Sequence, residues 1–161
     1  MEKVWILGGG ESGVGAALLA QKKGYEVFLS DGGSLKKEYR DVLIHHEIRF
    51  EEQAHSESWK SSSVVVKSPG IPNSAQVVLD VRAAGIELIS EVEFAYRHCD
   101  SKFIGITGSN GKTTTTGLVY HLLEKAGLDV AMVGNIGKSI CWLLSEREPE
   151  YLVAELSSFQ L

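Results

Sequence analysis

The stretch Val4-Trp5-Ile6-Leu7-Gly8-Gly9-Gly10-Glu11-Ser12-Gly13 decides the fold. Four apolar residues running straight into glycines read as a buried strand that ends in a tight turn. Residues 16–23 then carry a helical pattern, and Gly24 is a natural C-terminal cap. Residues 26–30 form a second strand that stops at Asp31-Gly32-Gly33. Strand, glycine turn, helix, strand is one βαβ unit, whose parallel strands require a right-handed crossover. The Gly8-x-Gly10-x-x-Gly13 spacing lets backbone approach a ligand phosphate over a helix N-terminus, and Asp31 lies near the spacing of a ribose-binding carboxylate. From the residues alone NAD(P) is the first candidate ligand here. The alternative is a turn that needs glycine for conformation only.

Outward from this unit the alternation continues. Residues 34–62 are polar and weakly patterned, admitting one helix near 35–44. Residues 63–67 read as a strand cut off by Ser68-Pro69-Gly70-Ile71-Pro72, residues 74–84 as an amphipathic helix closed by Gly85, and residues 86–89 as a strand. Ser90-Glu91-Val92-Glu93 has the form of a capping box opening a short helix to about Arg97. At His98-Cys99-Asp100-Ser101 the pattern restarts: strand 102–107, glycine loop 108–112, helix 113–126, strand 130–133, helix 138–147, strand 151–156. The fold class is therefore α/β with mostly parallel sheets. Two glycine-loop units in tandem predict domains at residues 1–97 and 98–161.

Composition narrows the partners. The 161 residues are 43% hydrophobic and carry a net charge of −5, so the chain is globular, and bulk charge argues against a nucleic-acid or anionic-membrane surface. No apolar run approaches the roughly 20 residues of a membrane span. Met1-Glu2-Lys3-Val4 enters a strand at once, without signal-peptide anatomy, so the expected compartment is the cytoplasm. Cys99 and Cys141 fit no metal spacing and read as small buried hydrophobes. The five histidines form no ligand set, and Trp5, Trp59 and Trp142 read as packing residues.

The strongest chemical signal is Ile104-Gly105-Ile106-Thr107-Gly108-Ser109-Asn110-Gly111-Lys112-Thr113-Thr114. It approximates a P-loop, with Gly111-Lys112-Thr113 matching the end of that pattern and Ile106 standing where its first glycine would be. Gly108 and Gly111 let backbone amides face a phosphate, Lys112 can reach the β/γ-phosphates, and the Thr113 hydroxyl suits Mg²⁺. The Ser68-Pro69-Gly70 turn offers a hydroxyl and an amide to an anion, or is simply a turn. Asn135, in Gly134-Asn135-Ile136-Gly137, is a turn residue or a ligand donor. Glu155 interrupts the apolar Leu152-Val153-Ala154-Glu155-Leu156, and a carboxylate there either helps hold Mg²⁺ or belongs to a buried ion pair.

In combination these motifs resemble the Mur ligases, which build the peptidoglycan precursor. The resemblance runs from the 8–13 loop through Ser68-Pro69-Gly70-Ile71, the 107–114 loop and Gly134-Asn135-Ile136-Gly137 to Glu155-Leu156-Ser157-Ser158-Phe159-Gln160-Leu161. It is strongest to members that add D-glutamate to UDP-N-acetylmuramoyl-L-alanine. It implies a Rossmann-like domain that holds UDP rather than NAD(P), followed by the beginning of a P-loop ATPase domain cut short at Leu161. It also implies ATP and Mg²⁺ as cofactors and a monomeric protein. Gly108, Ser109, Asn110, Gly111, Lys112, Thr113 and Thr114 would bind ATP, with Lys112 and Glu155 catalytic and Thr113 and Glu155 at the metal. Gly10, Glu11, Ser12, Gly13, Asp31, Ser68, Pro69, Gly70 and Asn135 would bind the UDP substrate. The resemblance departs at Gly32-Gly33, where the family often has a threonine and a basic residue. The implied reaction phosphorylates the alanyl carboxylate, after which the D-glutamate amine displaces phosphate from the acyl phosphate. The chain alone is expected to bind ligand with little turnover. The alternatives are a non-catalytic nucleotide-sugar module, or an NAD(P)-binding protein fused to a P-loop unit.

Overall fold

The computed structural model describes residues 2–157, so Ser158, Phe159, Gln160 and Leu161 of the last motif lie outside the described residues. Strands β1 (Lys3–Leu7), β2 (Glu26–Asp31), β3 (Arg49–Glu52), β4 (Val64–Lys67) and β5 (Glu87–Ser90) form one parallel sheet in the order β3-β2-β1-β4-β5. Strands β6 (Lys102–Ile106), β7 (Val130–Gly134) and β8 (Tyr151–Glu155) form a second, parallel in the order β6-β8-β7. The helices are α1 (Glu11–Lys22), α2 (Lys37–His45), α3 (Gln76–Ala83), α4 (Glu91–Arg97), α5 (Lys112–Lys125) and α6 (Ile140–Glu146).

Strand alternation sorts the first sheet's side chains onto two faces. Val4, Ile6 and Val66 face a core shared with α1, α2, α4 and α6. Trp5, Leu7 and Val65 face a smaller core with α3 and Trp59, the latter on a 3-10 turn over Glu57–Ser61. The larger core does not stop at the first sheet. It continues through Ile140, Cys141 and Leu144 of α6 to Ala131, Val133, Leu152 and Ala154 of the second.

Several local expectations change. Helix α1 begins at Glu11, directly after the glycines, rather than at residue 16. Strand β3 is new: it pairs with β2 through a polar sequence whose Glu52 accepts from Arg40, a pattern that alternation in hydrophobicity does not reveal. The capping box is half made. Ser90 Oγ accepts from the Glu93 amide at 3.1 Å, but the Glu93 carboxylate pairs with Arg97. Of the two cysteines Cys141 is fully buried and Cys99 half-buried, and both are free.

Candidate functional site

The first glycine loop is held by steric necessity. Gly8 has φ +102°, and a Cβ on Gly13 would stand 1.7 Å from the Gly8 carbonyl oxygen. The loop is therefore locked to the first turn of α1 in a way that no larger residue permits. Ser68, at the end of β4, is buried against it and donates its hydroxyl to the Gly8 carbonyl at 3.3 Å. The following turn is pinned by a residue that sequence reasoning missed: Lys67 Nζ donates to the carbonyls of Ile71 (2.7 Å) and Ser68 (3.3 Å). Burial, aided by the nearby Arg82 cation, lowers the Lys67 pKa. Its signal was a lysine closing an apolar strand just before a Ser-Pro-Gly turn. Gly70 and Pro69 lie exposed at the tip.

Asp31 is turned inward. Its carboxylate accepts from the Gly9 amide at 2.5 Å and the Gly33 amide at 2.7 Å, so both oxygens brace the loop. Gly32, which has no side chain to offer, is overhung by His55, whose Nδ1 meets Ser30 Oγ at 2.7 Å. The Glu11 carboxylate also leaves the loop, accepting from the Ser139 amide at 2.9 Å. Gly10, the extended N-cap of α1, and half-buried Ser12 remain at the helix start.

The second loop follows β6. Gly108 (φ +145°) and Gly111 (φ +75°) take conformations that side chains disfavour, and Gly111 is the N-cap of α5. Lys112 Nζ donates to the Gly108 carbonyl at 2.7 Å, so its ammonium lies over the exposed loop. Thr113 and Thr114 are exposed on the first turn, as are Ser109 and Asn110 before it. Thr116 is buried, with its hydroxyl satisfied by the Lys112 carbonyl at 2.8 Å.

Glu155 ends the central strand of the second sheet, level with Ile106 of β6 and Gly134 of β7. It is 5% exposed, and its Oε2 is buried without a hydrogen-bond partner among the described residues. No ion pair to Glu155 is formed among the described residues. A buried carboxylate oxygen left unpaired is costly, so it calls for a cation or a hydrogen-bond donor. Gly134 is glycine because a Cβ there would lie 2.3 Å from the Glu155 carbonyl oxygen, which instead accepts from the Asn135 amide at 3.0 Å. The Asn135 side chain is exposed.

A series of contacts ties the loops at the carboxyl ends of the two sheets to their surroundings. Ser68 touches the first loop, Glu11 ties α1 to Ser139, Asn135 is bonded to Glu155, and the Leu156 amide donates to Ile106 at 2.9 Å just before the second loop. Carboxyl edges of parallel sheets are where such folds bind ligands. Residues 3–77 match the profile of the MurD N-terminal domain, and residues 106–161 match the Mur ligase middle domain. The chain belongs to the Mur ligase family.

Mur ligases similar to this chain include the UDP-N-acetylmuramoylalanine–D-glutamate ligase of Bacteroides thetaiotaomicron, 51% identical over all of this chain and 36% of that protein. The protein of the same name from Christiangramia forsetii is 51% identical over 99% of this chain and 36% of its own length. The chain thus spans about a third of the length of these curated relatives. Among solved structures, the UDP-N-acetylmuramate:L-alanyl-γ-D-glutamyl-meso-diaminopimelate ligase of Neisseria meningitides superposes with a TM-score of 0.64. It is 20% identical over 96% of this chain and 52% of that chain, and so speaks for the Mur ligase fold alone. No helix among the described residues is long and apolar enough to cross a membrane.

Proposed function

We propose that this Mur ligase chain forms the UDP-substrate domain and the start of the ATP domain of a ligase joining D-glutamate to UDP-N-acetylmuramoyl-L-alanine. The observation that carries the reading is the buried Glu155 oxygen, unpartnered among the described residues, at the carboxyl end of the strand paired with β6, which leads into the second glycine loop. In this reading the domains divide near residue 97. The 8–13 loop amides and Ser68, with the Pro69-Gly70 turn, receive the UDP diphosphate. Asn135 meets the sugar portion, and Asp31 acts by holding the loop open through Gly9 and Gly33. The 108–114 loop is the ATP loop.

The donor set fits a magnesium nucleotide. The buried Glu155 oxygen and the Thr113 hydroxyl are hard oxygen donors, and two protein oxygens completed by phosphates and water are the usual share for Mg²⁺. ATP with magnesium would supply the phosphoryl group that activates the alanyl carboxylate for attack by the D-glutamate amine. The chain's own contribution is charge and alignment. Lys112 swings from the Gly108 carbonyl to the phosphates, the loop amides neutralise transferring charge, and the 8–13 loop holds the acceptor in line.

Thermal shift of this chain with UDP-N-acetylmuramoyl-L-alanine, ATP–Mg²⁺ and NAD tests the reading. At about 100-fold excess over Kd a specific ligand adds roughly 2.7 kcal/mol, readily seen as a rise in Tm. The UDP substrate and ATP–Mg²⁺ are expected to stabilise, and Lys112→Ala to erase only the ATP shift. Stabilisation by NAD and none by the UDP substrate would overturn it.

A further inference from the structure

Helix α6 is gripped at three points by side chains of the first unit. At its start, Glu11 of α1 accepts from the Ser139 amide at 2.9 Å, and Glu91 of α4 accepts from the Cys141 amide at 2.7 Å. At its end, Lys22 of α1 donates to the carbonyls of Leu144 (2.9 Å) and Ser145 (3.0 Å). The two helices run in the same direction, so each charge meets the end of the α6 dipole that favours it. Between the grips the backbones nearly touch: a Cβ on Gly15 would stand 2.5 Å from Ser139 Oγ and 2.7 Å from the Trp142 amide nitrogen. Glu91 is 3% exposed, and the Cys141 thiol returns a hydrogen bond to the Glu91 carbonyl at 3.4 Å.

Glu11 also stands within the 8–13 loop, as the first residue of α1, while Ser139 stands two residues after Gly137. The grips therefore set one loop against the other. Glu11 is exposed, but Glu91 is a buried carboxyl spent on a backbone amide and so a poor source of stability, since its desolvation opposes the bond it makes. What each supplies is a fixed position, because a hydrogen bond to a helix amide tolerates little displacement.

We infer that Glu11 and Glu91 are positioning residues that hold α6, and through it the 134–137 loop with Asn135, in fixed register against the 8–13 loop. The inference rests on the proposed reading, in which those two loops embrace the two parts of one UDP-sugar substrate. UDP alone would engage the first loop, and the sugar-bearing substrate would need both.

Isothermal titration of this chain with UDP and with UDP-N-acetylmuramoyl-L-alanine separates the cases, alongside amide hydrogen exchange without ligand. Losing one charge-assisted bond, Glu11→Ala should weaken the sugar-bearing substrate by about tenfold and leave UDP within about twofold. Glu11→Gln, which keeps an acceptor for Ser139, should restore wild-type binding. Asn135→Ala should cost little more once Glu11 is alanine. In the exchange experiment, Glu11→Ala and Glu91→Ala should speed exchange at residues 134–141 and spare β2. Equal weakening of both ligands by Glu11→Ala, full additivity with Asn135→Ala, or unchanged exchange at 134–141 would overturn the inference. If the wild-type chain binds UDP and not the sugar-bearing substrate, or binds neither, the functional reading fails instead, and the exchange result still decides whether these carboxylates position the loop.

Discussion

Glu91 puts an acid where water cannot follow, and burial, reinforced by the nearby Glu11 carboxylate and opposed by the Cys141 amide, pushes its pKa up to about 7 from an ordinary 4.5. The folded chain therefore keeps a proton that the unfolded chain releases across that window. The residue's contribution is most favourable below pH 4.5 and declines as pH rises towards 7, by about 3 kcal/mol in all. Glu91→Gln has no such proton to lose. Urea midpoints taken at about pH 5 and about pH 7.5 should show the variant gaining on the wild-type chain as pH rises. A constant difference at both values would remove Glu91 as the titrating group. At this scale the sequence was partly legible. Gly8, Gly13, Gly111 and Lys112 announce themselves because positive φ and phosphate chemistry admit few residue types. Glu91 and Lys22 do not, because a charge gripping a distant helix end leaves no mark on its neighbours in sequence.

At the scale of elements, α1 and α6 meet through a glycine rather than a side-chain ridge. Gly15→Ala puts a methyl where Ser139 and Trp142 already stand, so the helices must separate or Ser139 must give up its cap on the Trp142 amide. The gain in helix propensity, about 1 kcal/mol, is outweighed by overpacking of about 1–3 kcal/mol. A lower urea midpoint is expected, with faster exchange of the Trp142 amide; a rise in stability would show that the contact is loose. Periodicity located α6, α5 and seven of the eight strands to within a few residues, because apolar runs between glycines are strong signals. It missed β3, whose exposed edge is held by Glu52–Arg40 and Glu26–Arg49 pairs instead of buried side chains. It also started α1 late, since Glu11-Ser12-Gly13 reads as loop until the close approach of Gly13 to the Gly8 carbonyl is seen in three dimensions.

For the whole molecule, the sequence showed two glycine-loop units but not how they join. The larger core runs without a break from Val4 and Ile6 through α6 to Leu152 and Ala154. One cooperative unfolding transition is therefore expected, with calorimetric and van't Hoff enthalpies in agreement. Two resolved transitions would mean that the shared core contributes less than either sheet's own packing. Lys112→Ala, which touches only an exposed loop, should leave that transition within about 0.5 kcal/mol of wild type.

The position of α6 also decides where the chain can be cut. Sequence assigns this helix to the second unit, yet both its ends are held by the first and its buried face lies in the core that both sheets share. The peptide link across residues 98–101 is then not what joins the halves. Two separately produced pieces, broken in that link, should recognise each other through α6 and reassemble in trans, much as the halves of a split reporter do.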